Sequence, residues 1–95
     1  MPYTARVRGS LARYLLAHPH PGLRRRLSVL KRTPFPPGSR SLHADAAWYP
    51  LADRFPSVQG YIYGTNHDAL IYTYDTTAGA VTVELAVVDG SIVPA

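Results

Sequence analysis

Two groups of side chains in this sequence have the types and spacing to do chemistry: a basic cluster, and a histidine beside a carboxylate. Arg24, Arg25, Arg26, Lys31 and Arg32 fall within nine residues, and Arg40 follows. Cations packed this closely can clamp phosphates, because neutralising a polyanion releases its counterions. They can equally pair with an acidic protein, or simply solvate one face of a helix. His67 stands next to Asp68, and imidazole titrates near neutral pH, where it can act as general base or acid. The plainer reading is a polar turn residue. Tyr61, Tyr63, Tyr72 and Tyr74 stand two apart, where aromatic rings either stack unpaired bases or pack across a sheet. His18, His20 and His43 lack metal-ligand spacing, and no phosphate loop or nucleophile–base–acid order is present. No metal and no cofactor is expected.

The elements that must position these residues can be read from charge and periodicity. Nine of the ten Lys/Arg precede residue 41, and all six acids follow residue 44. Residues 1–42 therefore carry +9 (nine cations, no acid), and residues 43–95 carry −5 (one cation, six acids). Such segregation predicts a polyanionic or acidic partner on the first half. Ninety-five residues make one domain, 1–95. With no cysteine there is neither a disulfide scaffold nor a thiolate metal site. No apolar run is long enough to span a membrane. Residues 1–10 carry Arg6 and Arg8 without an apolar stretch, so no signal peptide is expected and the cytoplasm is the default location.

Tyr3 to Arg8 alternates with a period of two and predicts a first strand. Ser10 is the expected N-cap of a helix from Leu11 to His18, with Leu11, Tyr14, Leu15 and His18 on one stripe. The His-Pro-His-Pro-Gly run ends it. A second helix is expected over Pro21 to Lys31, burying Leu23, Leu27 and Leu30 and turning its arginines to solvent. Thr33 to Ser41 reads as an irregular loop, and a short helix limited by Pro50 is expected around Ala46 to Leu51. Val58 to Gly64, Ala69 to Asp75 and Ala80 to Val88 read as three strands of an antiparallel meander, with a last short piece over Ser91 to Pro94. Val83 and Leu85 are expected to face the helices together, meeting Leu15, Leu27 and Leu30. The fold class is α+β: a short first strand, a helical hairpin, then a three- to four-stranded antiparallel β-meander.

In this order of elements the chain resembles the RelE/ParE superfamily of toxin–antitoxin toxins. The likeness also rests on Pro34-Phe35-Pro36-Pro37-Gly38-Ser39-Arg40-Ser41-Leu42, which is similar to the stretch those toxins carry before the sheet. It extends to Tyr61 through Tyr72, where the family's hairpin often reads Y-R-x-R-x-G-D-Y-R-x-x-Y and both end tyrosines match. The resemblance implies a toxin-like component of a type II toxin–antitoxin system, acting on RNA and the ribosome or on gyrase. As an enzyme it would be a ribosome-dependent mRNA endonuclease that inhibits translation. His67 and Tyr72 would then be the catalytic candidates. Arg24, Arg25, Arg26, Lys31, Arg32, Arg40, Tyr61 and Tyr63 would bind RNA or an acidic antitoxin, the latter in a small oligomer. Ile62, Ala69 and Gly90 stand where the family places arginines, and Pro94 where it places a tyrosine. None of these can move a proton or balance the charge on a phosphorane, so poor cleavage of free RNA is expected. The alternative is a non-catalytic RNA- or protein-binding module of a phage or mobile-element system.

Overall fold

The alternation over residues 3–8 does form a strand, β1 (Thr4–Val7), and the helical hairpin follows as α1 (Gly9–Ala17) and α2 (Pro21–Leu30). Helix α1 begins one residue before the expected cap, with Arg8 at the N-cap position and no side-chain cap. The Arg8 N–H is already bonded to the Val83 carbonyl at 2.9 Å, so the chain turns into the helix directly from the strand ladder. Helix α2 starts on Pro21, whose fixed φ suits the first helical position. His20 caps it by accepting a hydrogen bond from the Leu23 N–H at 3.2 Å. Leu11, Leu23 and Leu30 are fully buried and Leu15 and Leu27 pack beside them, whereas His18, expected on the first stripe, is exposed.

The computed structural model describes residues 3–55 and 59–94. Val58, the expected first residue of the central strand, lies outside them. The strands after the hairpin are β2 (Ser39–Ser41), β3 (Gln59–Gly64), β4 (Asp68–Asp75), β5 (Ala80–Val88) and β6 (Ser91–Val93). They form a six-stranded sheet ordered β1-β5-β4-β3-β2, with β6 also paired to β5. The meander β3–β4–β5 is antiparallel as expected, but the sheet is mixed, because β1 runs parallel to β5. The loop expected over Thr33 to Ser41 is shorter than its composition suggested. Once past Pro37 the backbone can donate again, and Ser39 to Ser41 join β3. In place of a helix around Ala46, two 3-10 helices form, Leu42–Ala44 and Tyr49–Arg54.

The largest departure from the periodicity lies in β5. Tyr72 pairs with Val83 and the next residue back, Ile71, pairs with Leu85, so Glu84 is an extra residue in the ladder. Such a bulge puts two residues opposite one and reverses the facing of everything beyond it. Val81 and Val83 therefore pack with Leu11, Leu23 and Leu30 under the helices, together with Ala86. Leu85 and Val87 face away, joining Leu42, Ala52, Ile62 and Ile71 in a second cluster flanked by Trp48, Leu51 and Phe55. The expectation that Val83 and Leu85 share the helical face is thus overturned. The sheet is covered on both sides, by α1 and α2 on one and by residues 42–55 on the other.

Leu85→Ala should cost about 2–5 kcal/mol by leaving a cavity in the second cluster. Denaturant unfolding should show it coupled to Ile71→Ala by at least about 0.5 kcal/mol, yet additive with Leu30→Ala across the sheet. Coupling to Leu30 instead would restore the strict alternation that the bulge denies.

Candidate binding surface

The ten cations of the chain are divided by what lies near them. Arg26 leaves α2 on the side that overhangs β3, with its guanidinium carbon 5.2 Å from the centre of the Tyr63 ring. Its Nη2 donates to the Asp68 carboxylate at 3.2 Å. Gly22 makes this approach possible, since a Cβ there would come within 2.6 Å of Asp68 Oδ2. Gly64, at φ +135°, closes the β3–β4 hairpin that carries Asp68, and a Cβ there would meet the Asp68 carbonyl at 2.4 Å. Arg40 shares the second face with Ile62, its direct cross-strand partner in the β2–β3 pair. There it pairs with Asp45 at 2.6 Å and donates to the Gly64 carbonyl at 2.9 Å. Arg26 and Arg40, both expected on the basic surface, are therefore tethers of the fold.

Arg24, Arg25, Lys31 and Arg32 are exposed. Among the described residues none of the four forms an ion pair, and Arg13 on α1 is likewise exposed and unpaired. No acid lies anywhere on the hairpin to oppose them. Arg24 lies beside α1, whereas Arg25 lines a separate depression with Arg26, Tyr63 and Asp68 on the other side of α2. The structure also reveals a feature the sequence reading missed. Val7, Ala12, Leu15, Leu16 and Leu27 line an apolar groove of ≈ 300 Å³ between α1 and α2, with Arg24 and His20 beside them. Leu16 is 83% exposed, far beyond what an ordinary helix position leaves of a leucine. The one signal for it was an apolar residue adjacent to, but off, the Leu11–Leu15 stripe.

His67 and Tyr72 are not brought together. His67 is exposed in the β3–β4 turn, held through its backbone N–H to the Thr65 hydroxyl at 3.2 Å. Tyr72 lies five residues along β4, about 16 Å away at strand rise. It is fully buried under α2, its hydroxyl donating to the Pro34 carbonyl at 2.7 Å. Burial, reinforced by the neighbouring phenols of Tyr3, Tyr61 and Tyr63, pushes the Tyr72 phenol well above its ordinary value, although Ser39 works against the rise. A sealed phenol whose hydroxyl is already given to a backbone carbonyl cannot reach a phosphate. Tyr61 stacks on Tyr72 with centroids 5.6 Å apart, and Tyr63 lies under Arg26, so both serve the core as well as the surface.

Among the described residues no helix is long and apolar enough to cross a membrane, and no three His, Asp or Glu are grouped as metal ligands would be. Comparison with protein-family models, with curated proteins and with solved structures returned no match.

Partial burial works most strongly against charge on Asp68. The Arg26 hydrogen bond and charge, the Thr65 hydroxyl and His20 together outweigh it and hold the carboxyl below its ordinary value. A depressed folded-state value adds stability above the unfolded carboxylate range and loses it as pH falls through the folded value. Asp68→Asn should therefore lower the melting temperature at neutral pH, and the gap to the parent should close below about pH 4. A gap that stays constant down to acid would mean that the Arg26–Asp68 pair is not what the substitution removes.

Proposed function

We propose that this chain is a toxin-like protein of the RelE/ParE kind that works by binding, and that its helical hairpin is the surface an acidic antitoxin occupies. The observation that carries the reading is the apolar groove between α1 and α2 set in an acid-free basic surface. An amphipathic segment with leucine or isoleucine on one side and glutamate on the other satisfies both features at once. Its apolar ridge buries Leu15, Leu16 and Leu27, and its carboxylates meet Arg24 at the groove and Arg13 on α1. The element order, a strand followed by a helical hairpin and an antiparallel meander, agrees with the toxin resemblance. The cytoplasm, where such a pair would act, is part of the same proposal.

Ribonuclease action by this chain alone fits the geometry poorly. The family's arginine positions hold Ile62, Ala69 and Gly90. Ile62 and Ala69 are fully buried in the second cluster, on the sheet face turned away from the basic hairpin. The remaining candidates, His67 and Tyr72, are separated and differently exposed.

A labelled acidic amphipathic helix should bind the purified protein, and Leu16→Ser should weaken it about ten-fold while changing stability by less than about 0.5 kcal/mol. Arg24→Glu should weaken it further and flatten its salt dependence. Equal binding by parent and Leu16→Ser, in fluorescence anisotropy, would remove the groove from the interface. Incubation with a bare transcript should yield no site-preferring cleavage. Rapid cuts without ribosomes would overturn the binding-only reading.

A further inference from the structure

A second surface, sharing no residue with the α1–α2 groove, lies where the proline-rich segment crosses β3 and β4. Phe35 is 49% exposed, although a ring of its size would be expected to find cover in a folded chain. It is not a loose loop residue. Pro36, next to it, is fully buried, and the carbonyl of Pro34, on its other side, accepts the Tyr72 hydroxyl. The ring leans on two half-buried tyrosines, with centroids 5.0 Å from Tyr61 and 5.3 Å from Tyr74. The outcome is a fixed aromatic surface of three rings, one of which projects. Exposed Lys31 and Arg32 form the turn that follows α2, and four residues of chain keep their backbone at most about 14 Å from that of Phe35. Two acids, Asp53 and Asp75, line the cavity beside Tyr61, and Asp75 Oδ1 accepts from the backbone N–H groups of Thr77 and Ala78 at 3.0 and 3.2 Å.

We infer that Phe35, Tyr61 and Tyr74, with Lys31 and Arg32, form a binding site for single-stranded nucleic acid. A held ring with an open face is what an unpaired base stacks on, and the two cations supply contacts for the adjoining phosphates. A duplex cannot use the rings, because its bases already stack on one another, and would meet the cations alone. An acidic protein partner could also cover Phe35, but it would gain nothing from three π-faces that leucines could not supply.

Deca-uridine RNA, deca-thymidine DNA and a duplex of the same phosphate count would be titrated against the full chain by anisotropy. The expected result is that one or both single strands bind about ten-fold more tightly than the duplex, the pair showing which sugar is preferred. Phe35→Leu, which keeps an apolar cover, should weaken single-strand binding about ten-fold without changing its salt slope. Phe35→Trp, which keeps the π-face, should bind at least as well as the parent. Lys31→Gln with Arg32→Gln should reduce the slope of log affinity against log salt by about 1.4. Equal affinity for duplex and single strands, unchanged binding by Phe35→Leu, or loss in Phe35→Trp as large as in Phe35→Leu would overturn the site. So would a Phe35→Leu effect confined to the acidic peptide, which would make the ring a protein contact. Because the peptide assay reads Leu16 and this one reads Phe35, the groove and the aromatic site stand or fall separately.

Discussion

Strand β5 is bonded along one side to β4, while its other side is shared by two strands, β1 over Ala80 to Val83 and β6 over Ala86 to Val88. Glu84 sits where those two partners meet, and it is also the extra residue of the bulge. Its side chain pairs with Arg8 at 3.5 Å, at the point where β1 gives way to α1. A regular strand would present Val81, Val83, Leu85 and Val87 to the helices and leave residues 42–55 only Ile62, Ala69 and Ile71 of the neighbouring strands as an apolar floor. With one residue inserted, the first pair serves the helices and the second pair serves the opposite layer. Both cores, and hence the placement of the helical hairpin and of the second layer, depend on that single irregularity.

The same sheet sorts the arginines. Acids begin only at Asp45, so two of the pairs with first-half cations reach across the fold, Glu84 with Arg8 and Asp68 with Arg26, while Asp45 meets Arg40 five residues away. Exposed ion pairs contribute little, but the last two are partly screened from water and couple separate elements. Asp68 ties the β3–β4 hairpin to α2, and Asp45 ties the second layer to the edge of the sheet. What remains on the hairpin is positive charge with no internal partner, next to an apolar groove. Binding surfaces combine these two properties because desolvated apolar contacts supply affinity while charge selects the partner. The proline-rich segment adds a third property at the other end of α2. Buried Pro36 and the Tyr72–Pro34 hydrogen bond hold Phe35 in a position that burial alone would not favour.

Much of this was legible in the residues. The period-two runs, the Pro-Gly interruptions and the leucine stripes located the meander and both helices, since local patterns reflect which face meets the core. The basic, acid-free first half was visible from order alone. The groove was not, because it depends on how α1 and α2 lie against each other, which brings Leu15 and Leu16 of one beside Leu27 of the other. Nor was the sorting of Arg26 from Arg24 and Arg25 visible, because three adjacent arginines differ only in what faces them across the fold.

The sequence by itself determined the α+β class, the order of elements, the charge asymmetry and the absence of arginines at Ile62, Ala69 and Gly90, because each is a property of neighbours along the chain. Tertiary structure alone decided the facing of Leu85, the strand at Ser39 to Ser41, the burial of Tyr72 and the exposure of Phe35. Each of these turns on contacts between residues far apart in sequence. A bulge leaves no mark in the alternation of Val-Thr-Val-Glu-Leu-Ala-Val, since valine, leucine and alanine are acceptable on either face of a sheet covered on both sides. Only the layer packed against each face, residues 42–55 or the helical hairpin, fixes which side each one takes.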